Sequence, residues 1–140
     1  MQKLHLFVCC LTIVGLSIGC TSKHSRIKLT HAEAIASAYS LYRIQHRGEL
    51  PQNESELRSF IESQPNLLSD AEVSSIGELL VSDVDGQPFV LLFGNKVQQF
   101  PDGRSLVAYD QTGANGIRTV IYATGDTEEL EEATFNELLK

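Results

Sequence analysis

Past Val81 the sequence changes character, and that change limits the chain to one class of fold. "FVLLF" (89–93), "LVAYD" (106–110) and "RTVIYA" (118–123) are runs of β-forming residues, punctuated by Asp85-Gly86, Gly94-Asn95, Asp102-Gly103 and Asn115-Gly116. Turn residues at such intervals predict a small antiparallel meander. Before Val81 the apolar residues recur at helical spacing instead. "THAE" puts a hydroxyl at Thr30 and a carboxylate three residues later at Glu33, the capping-box pattern that opens a helix. Ala34, Ile35, Ala38, Tyr39, Leu41 and Tyr42 form its apolar side, and Gly48 is a C-terminal stop. The alanines on one face let this helix lie close to a sheet.

"LPQNESELRSFIES" then reads as a proline turn, Asn53 as N-cap with Glu56 at the third helical position, and an apolar stripe of Leu57, Phe60 and Ile61. Pro65 ends this second helix, and "SDAE" (69–72) caps a brief third turn before Ile76 and Leu79. After Asp126 an amphipathic segment sets Leu130, Phe135, Leu138 and Leu139 against Glu128, Glu129, Glu131 and Glu132. Helices followed by antiparallel strands make an α+β domain. Its predicted form is an N-terminal helix and a short helix packed on a small antiparallel β-meander, with a short C-terminal helix. Ile35, Leu41, Phe89, Leu91, Val107 and Val120 are predicted to share its core.

The first 20 residues follow other rules. Lys3 precedes a 15-residue segment from Leu4 to Ile18, shorter than the ~20 residues an α-helix needs to cross a bilayer, and "LSIGC" closes it at Cys20. A charged start, an apolar run and a small residue before a cleavage point describe an export signal. With Gly19 before Cys20, the segment resembles a bacterial lipoprotein signal. That resemblance implies a signal peptide over 1–19 and lipidation of Cys20, so that the mature chain is held to a membrane by its acyl chains. Thr21 stands where an Asp would mark retention at the inner membrane, which favours the outer membrane. Residues 20–29 are then a lipidated cysteine and tether, whose Lys23, Arg26 and Lys28 can sit near anionic headgroups or simply be solvated.

All three cysteines, Cys9, Cys10 and Cys20, lie in this segment, so residues 30–140 have no disulfide, zinc-finger or cysteine-nucleophile chemistry. The chain carries 18 Asp and Glu against 11 Lys and Arg. Nucleic acid is not an expected partner, because phosphate contacts need clustered cations.

The Ala-rich helix with "LYRIQHRGELP", the stretch "SDVDGQPFVLLFG" and the hairpin "VAYDQTGANGIRTVIYATGD" resemble the globular part of type II secretion pseudopilins over most of residues 30–140. The resemblance implies a fold and an interaction role, and carries no catalytic residue. It stops at the N-terminus, where the family's Gly-Phe-Thr-Leu-x-Glu junction and long apolar stalk are not found. In residues 30–140 neither an esterase "GxSxG" elbow nor a phosphate loop occurs.

The best cation candidates are Asp83 and Asp85 of "DVDG", two carboxylates around a glycine turn that can offer oxygens to one Ca²⁺. The competing reading is a turn that closes on Gln87-Pro88. Asp110, Asn115 and Asp126 are a second set, implied by calcium binding in the C-terminal loop of some pseudopilins. His31 and His46 stand about 22 Å apart along the first helix and share no ligand; His5 and His24 fall in the signal and tether. Tyr39, Tyr42 and Tyr109 are expected in the core with their hydroxyls at its rim. Together these readings predict a membrane-anchored extracytoplasmic lipoprotein without a cofactor, a non-enzymatic structural or protein-interaction module with an envelope protein as partner. The alternatives are a calcium-dependent binding module and an uncleaved pseudopilin-like secretion component.

Overall fold

Thr30 does what its spacing to Glu33 requires. In the computed structural model, which describes residues 28–140, the Thr30 hydroxyl accepts from Glu33 N at 3.2 Å and the Glu33 carboxylate accepts from Thr30 N at 2.8 Å. This reciprocal cap opens helix α1 (His31–Gln45), and a cap of this kind is worth about 1 kcal/mol. Cys20 and the rest of the signal and tether up to residue 27 lie outside the described residues. The folded part starts slightly before Thr30: Leu29 N donates to Asp70 O at 2.9 Å, and Lys28 pairs with Glu72.

The alanines of α1 are not confined to one face. Ala32, Ala34, Ala36 and Ala38 are all buried, because α1 runs between the sheet on one side and the other N-terminal helices on the other. Small side chains all round let a helix approach two layers at once. Helix α2 (Glu54–Glu62) is capped by Asn53, whose side chain accepts from Glu56 N at 3.0 Å, and it buries Leu57, Phe60 and Ile61. Pro65 begins a helix here as well as following one: it is the first residue of α3 (Pro65–Asp70), a position where its missing N–H costs nothing. "SDAE" therefore closes α3 and caps no further helix. The cap of α4 (Ile76–Leu79) is Ser75, whose hydroxyl accepts from Glu78 N.

The sheet is antiparallel throughout. Strands β1 (Val90–Leu91) and β2 (Gln98–Gln99) lie along the same side of β3 (Ser105–Tyr109), separated by a 3₁₀ turn at Gly94–Lys96, and β4 (Ile117–Tyr122) and β5 (Thr127–Glu131) complete the order. Asn115 and Gly116 both have positive φ, 53° and 77°, between the paired Ala114 and Ile117. That is the two-residue hairpin turn for which Asn-Gly is the preferred pair.

One irregularity sorts the core into two. Leu106 pairs with Tyr122 but Ala108 with Ile121, so Val107 is an extra residue in β3, a β-bulge. Val107, Ala108 and Ile121 consequently face α1 and join Ile35, Leu57, Ile61, Leu79 and Phe89. Leu106, Val120 and Tyr122 face the opposite way and form a second cluster with Phe135 of helix α5 (Glu132–Leu138). The predicted six-residue core is corrected accordingly: Ile35, Phe89 and Val107 share one cluster, Leu41 and Leu91 pack half-buried against it, and Val120 lies across the sheet from them. The amphipathic C-terminal segment divides too. Thr127–Glu131 is an edge strand, and only from Glu132 does the chain turn helical.

Candidate functional site

Asp85 sits in the loop between Val81 and Pro88, which closes on itself through the bridge between those two residues. Ser82 is buried there, and its hydroxyl accepts from Val84 N and Asp85 N. One oxygen of the Asp85 carboxylate accepts from Gln87 N at 2.9 Å, so Asp85-Gly86 is the local turn that closes on Gln87-Pro88. The other oxygen reaches 27 residues along the chain and accepts from Thr112 N, the Thr112 hydroxyl and Gly113 N at 2.9 to 3.0 Å. The carboxylate thus clamps the "DVDG" loop to the β3–β4 loop. Asp83, two residues before it, is exposed and joins none of these bonds. A cation at Asp85 would have to displace four donors. Among the described residues no group of three His, Cys, Asp or Glu side chains is placed to hold a metal.

The second cation set is taken apart by the fold. Asp110 is buried and accepts from Thr119 N at 2.8 Å, its other oxygen having no partner. Asn115 lies in the turn before β4 and Asp126 in the turn after it. At ~3.4 Å per residue, a strand the length of β4 holds these two about 20 Å apart.

Desolvation pushes the Asp85 carboxyl up, but the bonds from Thr112, Gln87 and Gly113 favour the charged form more strongly and hold it below the ordinary value of 3.8. Its folded pKa therefore lies below its unfolded one. The stabilisation is fully present above the unfolded value and is lost as pH falls through the folded one. Asp85→Asn is expected to cost ~1 to 3 kcal/mol at pH 7 by leaving loop donors unmatched. Below about pH 4 the variant should lose less further stability than the parent. Parallel pH profiles in urea unfolding would contradict the clamp.

His31 and His46 are structural in different ways. His31 Nδ1 lies 2.6 Å from Val81 O and ties α1 to the start of the "DVDG" loop. His46 stacks on Tyr42 at 3.8 Å between ring centroids, with Phe60 edge-on to both. Tyr42 is half-buried and donates to Glu56, and Tyr109 packs edge-on against Phe135. Tyr39 departs from expectation: it is fully buried, and its hydroxyl is inside the core with no partner. Burial pushes that hydroxyl's pKa well up.

A recess of about 760 Å³ was not foreseen as a site. It lies between the C-terminal end of α1 and the turns around β2, lined by Arg43, Glu49 and Gln52 on one side and by Gln99, Gly103 and Ser105 on the other. Gly48 and Gly94 also line it, and a Cβ at Gly48, Gly94 or Gly103 would meet nothing within 4 Å. Backbone is therefore uncovered around its rim.

Arg43 is half-buried there, and its Nη1 donates to Ala123 O at 3.4 Å. Among the described residues Lys28, Arg58, Arg104 and Arg118 form ion pairs, whereas Arg43, Arg47, Lys96 and the C-terminal Lys140 form none. Arg47 precedes Gly48, and Lys96 lies between Gly94 and the groove-lining Val97. Of these four cations Arg43 lines the groove, and Arg47 and Lys96 each adjoin a lining residue in the chain. Gly48, Gly94 and Gly103 each mark a turn in the sequence, but no local signal says that these turns meet.

Compared with known proteins, the chain matches no family, no curated relative and no solved structure.

Proposed function

We propose that this chain is a lipoprotein of the cell envelope, lipidated at Cys20, whose folded domain is a non-enzymatic module that holds a protein partner. The observation that carries the reading is the position of the groove. Seven residues lie between Cys20 and Lys28, a reach of at most ~28 Å. Arg43 lies 12 residues along α1 from His31, about 18 Å further from that attachment. Lys28, where the tether joins the fold, and the groove stand toward opposite ends of α1, so an anchor at Cys20 leaves the groove free to face away from the bilayer.

The lining supports binding in preference to chemistry. Ser105 is the only hydroxyl side chain among the residues that form the groove, and among the described residues it makes no side-chain bond to a carboxylate or imidazole. Nucleophilic catalysis needs such a base within hydrogen-bond reach. The remaining lining groups, an arginine, a glutamate, two glutamines, Leu50, Val97 and open glycine backbone, recognise shape and charge. The pseudopilin-like order of helices and strands agrees with an interaction role.

The test places a photoreactive amino acid at Gln99, an exposed groove position, in the full chain in its native membrane. A discrete protein adduct from Gln99, not formed from the exposed Ser69 on α3, is the expected outcome. No adduct, or the same adducts from both positions, would count against the groove as the working surface.

A further inference from the structure

We propose that the groove between the C-terminal end of α1 and the β2 turns takes an acidic peptide segment, with the Arg43 guanidinium as its anchor. This rests on the interaction role proposed for the domain and names the chemistry of the partner.

Arg43 has five N–H donors and donates with only one nitrogen, at 3.4 Å, to Ala123 O. The remainder form a planar fork suited to a carboxylate. Arg43 is half-buried and forms no ion pair among the described residues, so a carboxylate that enters the groove is screened less there than at an open surface. Arg47 and Lys96, each close in the chain to a groove-lining glycine, add two further unpaired charges near it. Glu49 is the one acidic side chain among the lining residues. Apart from Glu49 and these three cations, residues 28–140 hold 17 Asp and Glu and only five Lys and Arg.

The rest of the lining fits a peptide. Gln52 and Gln99 carry both a donor and an acceptor, as a peptide backbone requires of its neighbours. Gly48, Gly94 and Gly103 leave room for a second backbone to approach the first. An anionic membrane is the less suitable occupant, because the groove lies at the far end of α1 from Lys28 and the bulk of the domain is acidic.

The probe is a fluorescein-labelled nonapeptide of alternating Glu and Gly, compared with its Gln-Gly counterpart, both titrated into the full-length chain in detergent. Four variants are used alongside: Arg43→Gln, Gln99→Glu, Arg58→Gln on α2, and the double variant Lys23→Gln/Arg26→Gln. The Glu peptide should bind at least tenfold more tightly than the Gln peptide, a gap that closes as salt rises. Arg43→Gln and Gln99→Glu should each weaken it about tenfold, whereas Arg58→Gln and the tether double variant leave it unchanged. Gln99→Glu leaves Arg43 in place, so a fold defect in one variant does not decide the matter. Equal binding of both peptides overturns the acidic class while keeping the groove. No binding of either, or loss only in the tether variant, overturns the proposal outright.

Discussion

Gly113→Ala is expected to destabilise the domain by well over ~3 kcal/mol, in the tail of point-mutation effects reached only by backbone strain or core damage. Gly113 has φ +67°, and a Cβ there would stand 2.1 Å from Ile117 O and 2.8 Å from Arg118 Cγ. The obstructing atom is backbone of a strand paired on both sides, so the loop must move. Moving it pulls Gly113 N off the Asp85 carboxylate and loosens the contact between two loops 28 residues apart. Gly116→Ala is the control. Its φ is +77°, but a Cβ there meets nothing within 4 Å, so only the left-handed conformation is penalised, by about 1 to 2 kcal/mol. Equal urea midpoints for the two variants would show that the β3–β4 loop accommodates a side chain at Gly113.

Phe135→Ala is expected to cost ~3 to 5 kcal/mol, as much as Phe89→Ala, although the two rings lie on opposite faces of the sheet. Phe89 is 6% exposed and packs with α1 and Val107; Phe135 is 2% exposed and closes the second cluster over Leu106, Val120 and Tyr122. Phe135 also lies under the Arg118 guanidinium at 4.6 Å, and Arg118 in turn grips Glu132 at the start of α5 through two bonds of 2.7 and 2.8 Å. Helix α5 has only seven residues and is too short to persist without packing. Losing the ring should therefore release the helix and uncover one face of the sheet. Far-UV circular dichroism with urea unfolding reads both effects. A cost under about 1 kcal/mol would mean that α5 is an appendage and that β4 is stable with one face uncovered.

What was legible in the sequence was local. Thr30 with Glu33 and Asn53 with Glu56 satisfy donors within their own first turn, so both caps could be read from spacing alone. Asn115-Gly116 was legible for the same reason, since the turn needs positive φ at two adjacent residues. The second cluster left a trace that alternation alone overlooks. Val120, Ile121 and Tyr122 are consecutive apolar residues, the mark of a strand covered on both faces. The bulge at Val107 was not legible, because nothing in "LVAYD" distinguishes the extra residue from its neighbours until β4 is beside it. Strand β5 failed differently: Glu128, Glu129 and Glu131 read as a solvated helix face, and only pairing with β4 makes the segment extended.

The candidate sites divide along the same line. Asp85-Gly86 announced a turn, and the bond to Gln87 N is that turn; the three donors from Thr112 and Gly113 come from a loop no local pattern links to it. The groove around Arg43 is the extreme case. It is assembled from the end of one helix and two separate turns, and each contributes residues that look like ordinary loop punctuation.

The most direct measurement is intact-mass analysis of the protein extracted from membranes of the producing cell. A mature chain beginning at Cys20, heavier than its sequence by a diacylglyceryl group and its acyl chains, is the expected result, with Cys20→Ala leaving the precursor uncut. An unmodified chain beginning at Met1 would contradict the anchor, and with it the placement of the groove at the far end of α1 from a membrane tether.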